Sequence, residues 1–508
     1  MYELRGIQLR EYQKNILATA RDKNTLVVLP TGLGKTVIAL ALSLERLNKF
    51  KDQKILFLAP TRPLVNQHYN FFLKHSNLDK TFVSVLTGKL RGEKRKKVWM
   101  DSLVIFATPQ TIENDLKEGR INLRDVCLLI VDECHRSVKN YSYTYVAKRY
   151  VSESNNPLVL GLTASPGHSE EDIREICRNL DIKRIEMRTE EDEDVKPYVF
   201  KKVVNVIQLD LPRELLYILN LLKESFRTRI LELKESGLID KPPSKVTKSY
   251  LLEKSRKLLE EVKNNRSLFP QFLKLAEAVK IYHALELLQT QGLSSLKKYF
   301  EKLIEEKKRS NKRLFLDENF KEAYLRTLEL LSKGIDLPKF EKLKEIILME
   351  LQKNPEAKFI VFSSYRKSVN AIIDFLKSVE SIRVAKFVGQ AGSDGMKQEE
   401  QIQKIREFEE GIYNVLVCTT IGEEGLHIPE VDVAIFFEPI PSALRTIQRR
   451  GRVGRTKFGK IYVLVMRKTI DEGYFWVSTR REKKMKKVLG FLRKSKAFEE
   501  QRKLTWYL

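Results

Sequence analysis

The stretch TLVVLPTGLGKTVIALA at residues 25–41 decides the fold of this chain. Its apolar, β-branched start predicts a buried strand, and its apolar end predicts a helix packed on a sheet. Between them, Gly32 and Gly34 permit a tight turn that brings backbone N–H groups close to an anion, while the helix N-terminus adds partial positive charge. Lys35 can reach the β- and γ-phosphates of a nucleotide, and the Thr36 hydroxyl can hold Mg²⁺. The stretch therefore predicts a phosphate-binding loop.

A second segment, DECH at residues 132–135, follows the apolar run 126–131. An apolar strand that ends in two acids puts Asp132 at the carboxyl edge of the sheet, where it can hold Mg²⁺, and Glu133 can polarise an attacking water. Alone, the first segment could be an ordinary glycine-rich turn, because Leu29 stands where the general pattern has glycine. The second alone could be a solvated acidic loop. Both together, in this order, predict a site that hydrolyses a nucleoside triphosphate.

Eight further short segments follow a recognisable order along the chain. They are LREYQ at 9–13, APTRPLV at 59–65, TG at 87–88, TPQ at 108–110, TAS at 163–165, FIVFSSY at 359–365, TTIGEEGL at 419–426 and QRRGRVGR at 448–455. With them the chain resembles the superfamily 2 helicases and translocases over nearly all of its length. The resemblance implies an α/β fold, with two RecA-like parallel-sheet domains and an inserted all-helical domain, and it implies ATP and Mg²⁺ as cofactors.

The resemblance also implies a role for each matching residue. The residues implied for ATP hydrolysis are Lys35, Asp132, Glu133, Gln448, Arg452 and Arg455. Those implied for binding ATP are Arg10, Gln13, Thr31, Gly32, Leu33, Gly34, Lys35, Thr36, Asp132 and Gly425, with Thr36 and Asp132 as the Mg²⁺ ligands. The implied nucleic-acid contacts are Thr61, Arg62, Thr87, Gly88, Thr108, Pro109, Gln110, Ser364, Tyr365 and Thr420. The residues implied to couple hydrolysis to movement are His135, Thr163 and Ser165.

The arginines of the segment at 448–455 suit phosphate binding on chemical grounds alone. Arginine forks match phosphate oxygens bidentately. Arg452 and Arg455 lie three residues apart, so they would share a face of a helix and could act as arginine fingers from the second domain. The alternative is a basic surface helix that binds nucleic acid, and Arg449 and Arg450 fit that role.

Composition agrees with a nucleic-acid motor. A chain of 508 residues is too long for one core. A net charge of +26 indicates a polyanionic partner, and nucleic acid is a better reading than a membrane because no apolar stretch of spanning length or signal peptide is visible. The four cysteines show no metal-binding spacing and are expected to be buried in a reducing compartment. The abundance of Lys and Glu indicates a hyperthermophilic, cytoplasmic protein. The family resemblance adds the expectation that the protein is archaeal and associated with the nucleoid.

Three domains are predicted. Residues 1–200 alternate apolar runs with helical stretches and form the first RecA-like domain. Residues 201–337 have apolar residues at helical spacing and form a thumb-like helical insertion, whose lysines suit phosphate contacts; a helical spacer with solvated lysines is the alternative. Residues 338–508 form the second RecA-like domain with a basic helical tail. No coiled-coil heptad is visible, so a monomer is expected.

The helical insertion together with DECH narrows the resemblance to the family of archaeal Hef and the Fanconi-anaemia M-type translocases. It implies action on branched or double-stranded DNA, including replication forks and Holliday junctions, in fork repair and restart with replication or repair proteins as partners. Nuclease activity is not expected, since no nuclease motif is visible in what is either a fragment or a shorter homologue. His427 departs from the aspartate of this family, so its ribose contact is not carried over. The alternatives are an ATPase of the RIG-I or Dicer type stimulated by double-stranded RNA, and a non-catalytic clamp or repair scaffold.

Overall fold

The computed structural model describes two parallel sheets and a helical domain. The described residues are 1–30, 32–88, 90, 92–167, 169–198, 202–306, 308–389, 395–419, 431–439, 459–477, 479, 480, 483 and 487. Among them, no helix is both long and apolar enough to cross a membrane. All four cysteines are buried, as the sequence predicts.

The first sheet is built from six apolar runs that the sequence marks as strands, together with an edge strand at 184–187 that the sequence did not predict. Its seven strands are all parallel and lie in the order β3-β4-β2-β5-β6-β1-β7. They are β1 (Thr25–Val28), β2 (Lys54–Leu58), β3 (Val83–Leu86), β4 (Val104–Ala107), β5 (Val126–Asp132), β6 (Val159–Thr163) and β7 (Arg184–Met187). The helices are α1 (Glu11–Ala20), α2 (Lys35–Lys49), α3 (Arg62–Lys74), α4 (Gly92–Asp101), α5 (Pro109–Lys117), α6 (Ser142–Glu153) and α7 (Glu170–Asn179). Central strands such as β1 and β5 are buried along their whole length, as a parallel sheet covered on both faces requires.

Six helices make up the middle of the chain, in agreement with the predicted helical spacing. They are α8 (Arg213–Glu235), α9 (Lys248–Asn264), α10 (Phe269–Thr290), α11 (Leu293–Glu305), α12 (Arg309–Leu314) and α13 (Glu318–Ser332). The periodic residues Leu215, Ile218 and Leu222 of α8 are all buried. Apolar residues three or four apart share a helix face, which explains why this pattern builds a helical core.

The second sheet has six strands in the order β10-β11-β9-β12-β13-β8. Its elements are β8 (Lys202–Leu209), α14 (Pro338–Lys353), β9 (Phe359–Ser363), α15 (Arg366–Leu376), β10 (Val384–Phe387), α16 (Gln398–Glu409), β11 (Val415–Thr419), β12 (Val433–Phe436) and β13 (Gly459–Met466). All pairings in this sheet are parallel. The predicted fold class, two parallel-sheet α/β domains with an inserted helical domain, is confirmed.

The boundary before the helical domain differs from the predicted one. The prediction assigns residues 202–209 to the helical insertion, but the structure pairs them along their whole length with β13 at the edge of the second sheet. The partner strand lies more than 250 residues later in the chain, and neither run contains a signal for the pairing. Residues of the helical domain and of the second α/β domain also belong to one continuous hydrophobic core.

Candidate nucleotide site and nucleic-acid groove

The predicted site residues of the first domain gather at one edge of its sheet. Because all seven strands are parallel, the segments that follow β1, β2, β4, β5 and β6 emerge at the same carboxyl edge. Ligands of open α/β sheets bind at this edge, beyond the ends of the strands.

The phosphate loop between β1 and α2 has the conformation that its glycines permit. Gly32 and Gly34 have φ values of 87° and 72°, in the left-handed region where a side chain is strained, and Gly34 caps the N-terminus of α2. The Lys35 ammonium donates a hydrogen bond to the carbonyl oxygen of Leu29 at 2.9 Å. The lysine is therefore folded back over the loop, within the reach of phosphates bound at the helix N-terminus.

Residues before α1 and in its first turn support this loop from one side. The Tyr12 hydroxyl and the Gln13 amide both donate to the carbonyl oxygen of Leu33, at 2.8 and 3.2 Å. The backbone N–H of Arg10 donates to the Gln13 side-chain oxygen at 2.9 Å, and the Arg10 guanidinium lies 5.0 Å from the centre of the Tyr198 ring. The predicted nucleotide-binding residues Arg10 and Gln13 thus lie against the loop, and Tyr12 and Tyr198 are neighbours that the sequence reading missed.

The acidic strand end lies at the same edge of the sheet as the phosphate loop, with β6 between β5 and β1. Asp132 is 7% exposed at the end of β5, and its carboxylate is 2.9 Å from the Nε2 atom of His68 on α3. The Tyr143 hydroxyl of α6 donates to the Asp132 carbonyl oxygen at 2.8 Å. Glu133 adopts a left-handed conformation with φ of 47°, and its carboxylate is 3.3 Å from His135 Nδ1. Neither His68 nor Tyr143 was predicted.

The three residues predicted to couple hydrolysis to movement are in contact. His135 Nδ1 lies 3.2 Å from the Thr163 hydroxyl at the end of β6. That hydroxyl donates to the Ser165 carbonyl oxygen and accepts from the Ser165 N–H, both at 3.1 Å. A continuous chain of polar contacts therefore connects Glu133 to the segment after β6.

The oxygen donors at this edge suit Mg²⁺. A threonine hydroxyl and an aspartate carboxylate are hard ligands, and magnesium completes its shell with water and substrate phosphates. Within the described part of the chain, no group of three or more His, Cys, Asp or Glu side chains could hold a metal by itself. Thr36 and Asp132 would therefore hold the ion together with a bound nucleotide, as this chemistry expects.

A second cavity, of about 390 Å³, lies further along the same edge. It is lined by Pro60, Thr61, Arg62, Gly88, Arg95, Thr108, Gln110, Thr111 and Asn114. Helices α3 and α5 both begin here, and their N-termini favour anions. Arg62 supplies a full positive charge, and a Cβ atom on Gly88 would lie 3.7 Å from its guanidinium. We refer to this cavity as the first-domain groove. It unites five of the predicted nucleic-acid contacts, which come from three separate segments.

A buried ion cluster supports the groove and was not predicted. Arg95 of α4 donates two hydrogen bonds to the Asp115 carboxylate of α5, at 2.7 and 2.6 Å, and Arg120 donates a third at 2.8 Å. Burial alone would raise the pKa of Asp115, but the two arginines together hold it below its usual value. Arg95 also donates to the Leu90 carbonyl oxygen. The cluster thus fixes the loop that carries Gly88.

The second domain contributes Ser364 and Tyr365 at the carboxyl end of β9. The Ser364 N–H donates to the Glu438 carboxylate at 2.9 Å, and the Ser363 hydroxyl donates to it at 3.1 Å. The Tyr365 ring is half-buried, and burial raises the pKa of its hydroxyl. Several predicted residues lie outside the described residues. They are Thr31, Thr420, Gly425, Gln448, Arg452 and Arg455.

One parallel sheet carries both a phosphate loop and an acidic strand end, and a second parallel sheet lies in the same chain. This combination defines a two-domain nucleoside-triphosphate motor. Three family models match in chain order. The res subunit of type III restriction enzymes matches residues 6–168, and the helicase conserved C-terminal domain matches residues 338–457. A helical-bundle model named for ATP-dependent RNA helicases matches residues 214–334.

Individual relatives support the same family. The chain is 42% identical over 491 residues to MJ1505 of Methanocaldococcus jannaschii, which is named as a putative ATP-dependent RNA helicase. This match covers 95% of this chain and 61% of that protein. The chain is 32% identical to the ATP-dependent DNA helicase mph1 of Neurospora crassa, over 90% of this chain and 41% of that protein. The crystal structure of the Pyrococcus furiosus Hef helicase domain is 44% identical, with a TM-score of 0.76, and the match covers 92% of this chain and 98% of that domain.

The chain belongs to the ATP-hydrolysing helicases of superfamily 2, in the family of the Hef helicase domain and the mph1 and Fanconi-anaemia M helicases. ATP and Mg²⁺ are the cofactors of this family. The chain spans 61% and 41% of the lengths of MJ1505 and the Neurospora mph1 helicase.

Proposed function

We propose that this chain is an ATP-dependent DNA helicase or translocase that acts on branched DNA, such as replication forks and Holliday junctions, in fork repair and restart. The first-domain groove carries the proposal. It offers two helix N-termini and Arg62 at the sheet edge that also bears the phosphate loop. Such groups bind sugar–phosphate backbone and position a strand without reading its sequence. Nucleic acid and nucleotide would thus occupy adjoining parts of one edge.

The nucleotide chemistry follows from the site. Lys35 would balance charge on the β- and γ-phosphates, and Thr36 with Asp132 would hold Mg²⁺, which when bound polarises the phosphates. Glu133 would orient the attacking water and accept its proton. Arg452 and Arg455 would complete the site from the second domain as arginine fingers. Hydrolysis would then require the two α/β domains to close.

The helical domain, which comprises α8 to α13, would grip duplex DNA near the branch. Exposed lysines and the net charge of +26 suit phosphate contacts that do not depend on sequence. The names of the relatives support DNA as the substrate, since they include ATP-dependent DNA helicases and a Fanconi anemia group M protein homolog. We propose a cytoplasmic monomer whose partners are branched DNA and replication or repair proteins.

A second candidate is an ATPase of the RIG-I or Dicer type that is stimulated by double-stranded RNA. Two observations favour it: MJ1505 is named as an RNA helicase, and so is the family whose model matches residues 214–334. The groove does not discriminate between the two, because phosphate contacts are common to DNA and RNA and only the 2′-hydroxyl separates them.

The decisive experiment measures the ATPase rate at high temperature with four nucleic acids of matched length. These are a fork, a linear DNA duplex, a DNA single strand and an RNA duplex. Strong stimulation by the fork, above linear duplex, supports the proposal. Preferential stimulation by the RNA duplex contradicts it and supports the second candidate, while equal stimulation by fork and linear duplex removes the specificity for branches.

The variant Lys35→Ala should lose ATP hydrolysis and retain most of its DNA binding. The lysine is the phosphate-loop cation, whereas the first-domain groove lies elsewhere on the edge. ATPase assays and fork binding by fluorescence anisotropy measure the two properties. Lys49→Ala, at the exposed opposite end of α2, is the matched control. Full hydrolysis by Lys35→Ala would contradict the assignment of the site.

A further inference from the structure

His68 and Asp132 are in contact although they are 64 residues apart, and no sequence pattern predicts this contact. His68 lies on α3, which starts at the first-domain groove, and Asp132 ends β5 at the nucleotide site. His68 Nε2 and Asp132 Oδ2 are 2.9 Å apart, and the two side chains are 7% and 9% exposed. A hydrogen bond to a charged group at this distance, away from water, is among the stronger ones in proteins.

The arrangement holds Asp132 at both ends of the residue. His68 binds the carboxylate, and the Tyr143 hydroxyl donates to the backbone carbonyl at 2.8 Å. Tyr143 is fully buried, so water does not compete for this hydrogen bond. His68 on α3 therefore holds the carboxylate itself, and Tyr143 on α6 holds the backbone that carries it.

Simple packing does not account for the direction of the imidazole. The His68 ring packs at a tilt of 35° against Phe57 of β2 with ring centres 4.4 Å apart, which a phenylalanine could do equally well. The position instead carries a ring nitrogen that points at a carboxylate. An ionised carboxylate only accepts, so Nε2 bears the hydrogen. The Nδ1 atom is buried, and no described residue gives it a hydrogen bond. Nε2 is therefore the ring atom that this site uses, with its N–H directed at the carboxylate.

We infer that His68 is a positioning residue for metal–nucleotide binding: its Nε2–H holds one oxygen of the Asp132 carboxylate and so aims the other at the metal. The inference rests on the proposed role of Asp132 as a Mg²⁺ ligand. A hydrogen-bond donor on a ligating carboxylate orients it, and loss of such a partner typically costs about 10- to 100-fold in metal affinity. Since α3 also borders the first-domain groove, the same helix positions a group at each site.

The test compares His68→Phe with His68→Gln in the full chain. Phenylalanine keeps the ring contact with Phe57 and removes the donor, whereas the glutamine amide can replace Nε2–H. The probe is Mn²⁺, titrated by electron paramagnetic resonance in the presence of a non-hydrolysable ATP analogue. His68→Phe should weaken Mn²⁺ binding about 10- to 100-fold, leave metal-free binding of the analogue unchanged, and be rescued by His68→Gln.

Two controls make the outcomes distinct. His75→Phe alters a histidine at the end of the same helix, whose ring lies 4.7 Å from Phe71, and should bind Mn²⁺ like the unaltered chain. Asp132→Asn should lose Mn²⁺ binding. If it does not, the proposed role of Asp132 fails. If Asp132→Asn loses binding but His68→Phe does not, or if His68→Gln is as weak as His68→Phe, the positioning role of His68 is overturned while the role of Asp132 stands.

Discussion

Replacing Glu438 with glutamine should remove a pH dependence from the stability of the second domain. The Glu438 carboxyl follows β12 and is fully buried, where it accepts hydrogen bonds from the Ser363 hydroxyl and the Ser364 N–H. Burial raises its pKa from 4.5 to about 7, although Lys339 and the Ser364 N–H act in the opposite direction. The proton is therefore bound more tightly in the folded chain than in the unfolded one.

The sign and size of the effect follow from this difference. A raised pKa contributes stability that is fully present below about pH 4.5 and is lost as the pH rises through about 7. At about 1.4 kcal/mol per pKa unit, the loss amounts to about 3 kcal/mol for this group. Glutamine resembles the protonated carboxyl and does not titrate. It can accept from the Ser364 N–H and donate to the Ser363 hydroxyl, so the pocket remains satisfied.

The assay must isolate the second domain, because a chain with several domains need not unfold in one step. Denaturant titrations at pH 5, 6, 7 and 8, each followed by a hydrogen-exchange pulse, give the unfolding midpoint of β9 peptides by mass spectrometry. The stability of Glu438→Gln relative to the unaltered chain should increase by about 2–3 kcal/mol across this range, because part of the effect is already lost at pH 5. An unchanged difference would refute the reasoning, and the exposed Glu380→Gln is the control that should show none.

Two further predictions concern the first domain. Gly34→Ala should weaken ATP binding in a fluorescent-nucleotide titration, because φ of 72° costs an L-residue about 1–2 kcal/mol and the new Cβ would come 2.4 Å from the Gln13 amide; unchanged affinity would contradict the loop geometry. Asp115→Leu should lower the melting point, since it leaves Arg95 and Arg120 without their carboxylate at a cost of about 3–5 kcal/mol. It should also weaken fork binding in anisotropy assays, and a variant with intact fork affinity would separate the cluster from the groove.

The parts of the site that the sequence predicted are those encoded in contiguous segments. Residues 25–41 contain the strand, turn and helix of the phosphate loop, so the sequence specifies the loop locally. Gly32 and Gly34 mark the turn, because glycine adopts positive φ values at little cost. The predicted groove residues also come together, since each segment directly follows a strand of one parallel sheet. The family resemblance named these residues, and the parallel sheet explains why they lie together.

The parts that the sequence did not reveal depend on partners distant in the chain. His68 and Asp132 are 64 residues apart, and a histidine in an apolar helix carries no mark of a carboxylate partner. Strand β7 was missed because its charged residues and half-buried pattern differ from a core strand, as is usual at a sheet edge. In the sequence, Asp115 cannot be distinguished from an exposed acidic residue of a helix. Its burial and its pairing with Arg95 of α4 are visible only in the structure.

The position of β8 in the second sheet indicates which domains would move together. The chain enters the second sheet at β8 before it forms the helical domain, and it leaves the helical domain through α14 into the same sheet. Both ends of the helical domain are thus anchored in the second domain. One hydrophobic core runs through both, and Gln289 of α10 accepts a hydrogen bond from the Ile470 N–H at 3.0 Å.

The first sheet, in contrast, packs its described residues into two cores of its own. Bodies with a continuous core resist relative motion, whereas separate cores permit it, because packed interiors are not continuously deformable. We therefore expect the helical domain to travel with the second domain when ATP closes the nucleotide site. DNA gripped by the helical domain would then be displaced against the first-domain groove, so that each ATP cycle shifts the duplex relative to the strand held there.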